Sequence, residues 1–217
     1  MLEKDKAWME KWAEKWATPF SPTTWDREHN PFLSEWWLGH NSRNIYDPNY
    51  SEKILSEFHA RTKCIEKYGF AVPTEKILRE ILKVSPKGIV EIGAGTGYWS
   101  KLLQLLGADV IACDDGSGLY PFTVGAFFQI EPISYQQIFR RKDVHERTLL
   151  VIWPSVDNVK IFNGYKGDTV AYVGEINDGC TGYDPEIEKT WEMVKQVQIP
   201  VWDGIHDSLG IFKRKGN

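Results

Sequence analysis

The sequence predicts an α/β protein: a doubly wound, mostly parallel sheet that ends in a C-terminal antiparallel hairpin and is preceded by a helical N-terminal extension. Three observations predict it. Composition changes at about residue 87, with six of the ten tryptophans lying before residue 38 in a helical, aromatic-rich stretch. After it, short β-branched runs alternate with helical segments, the pattern of parallel strands joined by crossover helices. A glycine-rich turn, Gly93-Ala94-Gly95-Thr96-Gly97, follows the first of those runs. The expected division is residues 1–86 as a helical cover and 87–217 as a ligand-binding α/β domain.

Within the extension, a first helix is expected from Glu3 to Ala17, with Trp8, Trp12 and Trp16 on one face and Pro19 and Pro22 ending it. Such a face packs against the rest of the chain or offers a surface to a partner, and packing is the commoner use. Its mixed Lys and Glu polar face argues against a membrane, because helices that lie on membranes are usually cationic. Asn30-Pro31 reads as an N-cap with proline at the first helical position, opening a short helix that Gly39 closes. Asp47-Pro48 repeats the signal ahead of a longer helix over Asn49–Lys67, and Thr74 opens another to Val84.

In the second part, strands are expected at Gly88–Ile92, Asp109–Cys113, weakly at Phe127–Ile130, then at Thr148–Trp153 and Thr169–Val173. Helices are expected at Tyr98–Leu106, Tyr135–Arg141 and Pro185–Lys195, and an antiparallel pair at Pro200–Trp202 and Leu209–Lys213. In an open sheet of this kind, ligands bind beyond the carboxyl ends of the strands.

The length of 217 residues suits one domain with an extension. A net charge of −4 gives no global attraction to nucleic acid. Cys64, Cys113 and Cys180 lie far apart, so neither a disulfide framework nor a metal site is suggested. Met1–Lys6 is charged and leads into no apolar run, and no stretch approaches a membrane span. The expected location is the cytoplasm, with no membrane partner.

The turn after the first strand carries the chemistry. Glycines let the backbone approach a ligand closely, but the spacing here is GxGxG, and Tyr98 stands where a dinucleotide fingerprint has its last glycine. Glu91, two residues before the first glycine, would repel a pyrophosphate and suits a cationic amino-acid ligand. Asp114 at the end of the second strand can accept both hydroxyls of a ribose; Asp115 is the lesser candidate. At the end of the fourth expected strand, Trp153-Pro154 occupies the place where an acceptor would be oriented. The Trp153 indole only donates, so the pair forms either an apolar wall or simple packing.

These segments resemble an uncharacterised family of class I (Rossmann-like) S-adenosylmethionine-dependent methyltransferases. The resemblance rests on Tyr68–Pro73, Glu91–Trp99, Leu150–Pro154, Tyr165–Asp168, Tyr172–Glu175, Gly179–Gly182 and Ile205–Leu209. It implies that S-adenosyl-L-methionine is bound by Glu91, Gly93, Ala94, Gly95, Thr96, Gly97, Tyr98, Trp99, Asp114, Trp153 and Pro154, with S-adenosyl-L-homocysteine as product. Where the family's nucleobase-methylating relatives carry Asp, Asn or Ser before Pro-Pro and an aromatic residue, this chain has Trp153-Pro154-Ser155, which speaks against base methylation. Glu175, at the end of the fifth expected strand, is either a general base or a fixed polar anchor. Catalytic roles are expected of Glu175 and Trp153. The acceptor is left open, a small molecule being favoured over nucleic acid or protein. The alternative to an enzyme is a cofactor-binding, non-catalytic subunit that uses the tryptophan helix as a partner surface.

Overall fold

The computed structural model describes residues 21–40, 50–118, 124–154, 157–176, 179–182 and 184–216. The expected Glu3–Ala17 helix with its tryptophan face lies outside them.

The described chain opens with α1 (Thr24–His29), whose capping box pairs Thr23 with Asp26, and α2 (Pro31–His40). Asn30 caps α2 as the sequence predicts, its side-chain oxygen accepting from the Leu33 amide at 3.2 Å. Two further helices, α3 (Tyr50–Tyr68) and α4 (Glu75–Lys83), follow, α4 capped by Thr74 through the Ile77 amide. The α/β part then runs β1 (Ile89–Ile92), α5 (Tyr98–Leu105), β2 (Val110–Cys113), α6 (Tyr135–Ile138), β3 (Thr148–Ile152), α7 (Asn158–Gly164), β4 (Thr169–Gly174), β5 (Trp191–Gln198) and β6 (Ser208–Arg214).

These six strands form one sheet in the order β2-β1-β3-β4-β6-β5. The first four are parallel, and β6 runs antiparallel to both β4 and β5. The chain winds outward from β1 to β2, then returns to β3 on β1's other side. That reversal places a crevice at the carboxyl ends of β1 and β3. This is the Rossmann-like arrangement, and the mostly parallel sheet with a terminal antiparallel pair is as the sequence predicts.

Strand alternation splits the core into two faces. Ile89, Leu150, Ala171, Val173, Leu209 and Ile211 pack with Phe32, Trp36, Tyr68, Ile77, Ile81 and Trp99 from α2 to α5. Val90, Ile92, Leu149, Val151, Tyr172 and Phe212 pack on the other side with Ile138 and with Ile161 and Phe162 of α7. The helices between residues 21 and 83 therefore share a core with the sheet. Cross-links reinforce this: the Trp36 indole donates to the Val201 carbonyl at 3.1 Å and the Asn30 amide to that of Pro73 at 2.8 Å.

Five elements differ from expectation. The weak parallel strand at Phe127–Ile130 is absent; a single bridge joins Cys113 to Glu131. The preceding residues are committed elsewhere, because the Gly125 and Phe127 amides donate to the Gly95 and Thr96 carbonyls at 2.9 Å each. The expected Pro185–Lys195 helix stops as a 3₁₀ turn at Lys189, and Trp191–Gln198 is the edge strand that pairs with β6 in place of Pro200–Trp202. A bulge between Met193 and Lys195 breaks its alternation and leaves Val194 exposed, which hides the strand pattern. The Tyr135–Arg141 helix is one turn long, and α7, capped by Asp157 through the Val159 amide, had no sequence expectation.

Candidate functional site

A cavity of about 660 Å³ opens at the carboxyl edge of β1, β2 and β3. All the residues expected to meet the cofactor line it except Gly97. Gly93, Gly95 and Gly97 have φ of 62°, 52° and 73°, a region that L side chains rarely adopt. They divide by what a side chain would meet. A Cβ on Gly93 would meet no protein atom within 4 Å, whereas one on Gly97 would lie 2.8 Å from Cβ of Phe128 and 3.0 Å from Cδ1 of Ile130. Gly97 thus admits the 124–131 segment, and Gly93 leaves room beside the cavity.

Glu91 stands on the same face of β1 as Ile89, toward α5, with its side chain 2 % exposed. Burial pushes its carboxyl up to about 7, against the opposing effect of the Ser100 hydroxyl, which donates to it. The neighbouring Asp114 charge adds to the rise. Asp114 holds the loop: its Oδ2 accepts from the Gly95 amide at 2.8 Å and its Oδ1 from that of Gly116 at 2.7 Å. Each oxygen keeps a second lone pair for a ligand hydroxyl. Asp115 is engaged by Ser117, whose hydrogen bonds hold its carboxyl below the usual range.

Tyr98 and Trp99 form wall, with their polar ends turned away. The Tyr98 hydroxyl donates to Asn30 at 2.9 Å, and the Trp99 indole to the Ala71 carbonyl at 3.2 Å. Thr96 likewise donates to the Tyr68 carbonyl at 3.0 Å. The glycine loop is thereby tied to the end of α3, which brings Tyr68, Gly69, Phe70 and Arg61 to the cavity.

Trp153 is the only described non-glycine residue with positive φ, at 45°. Such a backbone costs about 1–2 kcal/mol and persists only where its surroundings impose it. Here the indole donates to Oδ1 of Asp207 at 2.8 Å, and its ring stacks on Phe70 with centroids 4.9 Å apart and planes at 6°. Asp207 is 6 % exposed, and burial with the nearby Glu175 charge pushes its carboxyl up to about 7. No sequence spacing links Asp207 to Trp153, which lies 54 residues away. Pro154 joins Trp153 in the cavity wall.

Glu175 does not line the cavity. Its Oε2 accepts from the Cys180 amide at 2.8 Å and its Oε1 from that of His206 at 3.2 Å, while its own amide donates to the Thr181 hydroxyl at 2.7 Å. Gly179 stands where any Cβ would strike this carboxylate. This geometry is that of the anchor, one of the two roles the sequence left open. Glu175→Ala is expected to lower stability by ~2–3 kcal/mol, since two charged hydrogen bonds to backbone are lost. S-adenosylhomocysteine affinity should change less than about three-fold. Urea unfolding and calorimetric titration check the two halves.

No family model and no curated protein matches this chain. Solved structures that resemble it include methyltransferases of this fold. Magnesium protoporphyrin IX methyltransferase from Synechocystis, with S-adenosylmethionine bound, is 10% identical (TM-score 0.47; 88% of this chain, 94% of that one). The Burkholderia thailandensis 1,6-didemethyltoxoflavin N1-methyltransferase is 11% identical (TM-score 0.45; 80% and 93%). Likeness this distant leaves the chemistry to be read from the site's own residues.

The residues fit a sulfonium-bearing adenosyl ligand. The acceptors at the loop are the carboxylates of Glu91 and Asp114, with Asp115 engaged by Ser117, beside open space at Gly93. Carboxylates there favour a cationic amino acid and ribose hydroxyls over a pyrophosphate. Tyr98 fills the start of α5, where a dinucleotide loop needs its third glycine.

Proposed function

We propose that this chain is an S-adenosylmethionine-dependent methyltransferase whose acceptor is a small molecule held beside Trp153, Pro154 and Phe70. The observation that carries the reading is the acid-flanked glycine turn: Gly93 and Gly95 at positive φ open onto the cavity between Glu91 and Asp114. When bound, S-adenosylmethionine supplies an electrophilic methyl group on a sulfonium and is left as S-adenosylhomocysteine. Glu91 faces the cationic end, Asp114 the ribose, and the backbone at Gly93–Thr96 lies against the ligand. The stacked rings of Phe70 and Trp153 give an aromatic, apolar flank for the acceptor, and the helices within residues 1–86 serve as the cover. Glu175 being engaged by backbone amides, alignment rather than general-base catalysis supplies the rate, as proximity alone lowers a displacement barrier substantially.

Titration calorimetry with S-adenosylhomocysteine, followed by tritiated-methyl labelling of fractionated extract, tests the proposal. Micromolar binding with label entering the small-molecule fraction supports it. Binding of NAD in place of S-adenosylhomocysteine would overturn the cofactor, and binding without any label transfer would leave a non-catalytic subunit. Asp114→Ala is expected to weaken S-adenosylhomocysteine about ten-fold, ~1.4 kcal/mol, because the ribose partner and the tether on the Gly95 amide go together.

A further inference from the structure

The cavity is electrostatically lopsided. Glu91, Asp114 and Asp115 line its glycine-loop end, and Arg61 is its one Lys, Arg or His among the described lining residues. Arg61 lies on α3, and its Nε is buried with no hydrogen-bond partner among the described residues. A buried guanidinium nitrogen without an acceptor costs free energy unless a ligand supplies one. The charge of Arg61 reaches Asp207, the carboxylate that holds the Trp153 indole. Arg61 lines the same cavity as Phe70 and Trp153. Asp207 does not satisfy it: no ion pair within 4.0 Å joins the two among the described residues, and Oδ1 of Asp207 accepts from the Trp153 indole. The apolar part of the cavity lining includes Phe70, Ile152, Trp153 and Ile205.

Building on the methyltransferase reading, we propose that Arg61 is a specificity-determining residue that receives a carboxylate on the acceptor, whose planar apolar body lies against Phe70 and Trp153. A guanidinium fork suits a carboxylate bidentately, and Arg61 is the cation in a lining whose other charged residues are acids. The acceptor class is therefore a flat, aromatic or conjugated carboxylic acid. The same carboxylate chemistry is offered by the methionine end of the cofactor, and the experiment separates the two sources.

The test is calorimetric titration of 2-naphthoate and of its uncharged match, 2-naphthamide, into full-length protein saturated with S-adenosylhomocysteine. The wild type is expected to bind the acid at least about ten-fold more tightly than the amide. Arg61→Gln should erase that preference and Arg61→Lys keep part of it, with unchanged melting temperatures showing that both variants fold. Equal binding of acid and amide, binding of neither, or a preference that survives in Arg61→Gln would overturn the proposal. So would a loss of S-adenosylhomocysteine affinity in Arg61→Gln without loss of methylthioadenosine, which lacks the amino-acid end; the anion would then be the cofactor's. An acid preference that persists in protein unable to bind S-adenosylhomocysteine keeps the anion site and overturns the cofactor reading alone.

Discussion

Gly93→Val is expected to weaken S-adenosylhomocysteine binding by at least about a hundred-fold, ~3 kcal/mol, with a smaller effect on folding. The fold leaves room for the first side-chain carbon, since a Cβ at Gly93 meets no protein atom within 4 Å. What remains is the backbone penalty at φ 62°, about 1–2 kcal/mol and somewhat more for a β-branched residue. The added methyls stand where the ligand must approach the loop. Gly97→Ala should invert the pattern. Its Cβ would meet Phe128 Cβ at 2.8 Å and Phe128 N at 3.1 Å, at a φ of 73°. Overpacking plus strain costs about 3–4 kcal/mol, a fall in melting temperature of roughly 10 °C for a chain this long. Affinity of the folded fraction should stay within about five-fold. Two glycines four residues apart would then separate by readout, one in titration and the other in thermal unfolding. Wild-type affinity in Gly93→Val would show that the open space beside the loop is not the ligand's.

The glycine turn was legible because its constraint is local. A buried strand, three glycines at fixed spacing and a following helix can form only one kind of turn, and acids at its two sides declare the charge it faces. The parallel order was legible for the same reason, since each strand is a short apolar run bounded by turn signals. The acceptor side was not legible. Arg61, Phe70, Trp153 and Asp207 come from α3, the α3–α4 connection, the end of β3 and the β5–β6 connection, and no spacing rule links them. Glu175, the residue after β4, fits a base or an anchor by position alone, and its contacts with the Cys180 and His206 amides are set by segments that no spacing rule joins to it. Edge strand β5 was misread because its bulge breaks the alternation that reveals a strand. The segment after β2 was misread because its amides bond to the glycine loop rather than to a sheet.

S-adenosylmethionine binding at pH 7 is expected to release about half a proton from the wild type and almost none from Glu91→Gln. Burial raises the Glu91 carboxyl from 4.5 to about 7 in the folded protein, so near neutrality it is about half protonated. A cationic ligand end favours the ionised form and drives that proton off. The sign for folding is opposite to that for binding. A carboxyl whose folded value is raised contributes stability that is fully present below its unfolded value near 4.5 and is lost as pH rises through about 7. The shift corresponds to ~3 kcal/mol. Glu91→Gln removes the titration and keeps an acceptor for the Ser100 hydroxyl. The variant should therefore be more stable than wild type at pH 8, yet bind S-adenosylmethionine about thirty-fold more weakly, ~2 kcal/mol, through loss of a buried charge partner. Titrations in buffers of different ionisation enthalpy count the protons, and urea unfolding at pH 5 and 8 gives the stabilities. Asp207, also raised to about 7, sits behind the Trp153 wall, so any proton it releases persists in Glu91→Gln. Equal proton release by variant and wild type would move the cation from Glu91 to Asp207, whereas none from either would remove the cationic ligand from this end of the cavity. Protein that is most stable with Glu91 protonated and binds best with it ionised spends folding free energy at the site where the ligand returns it.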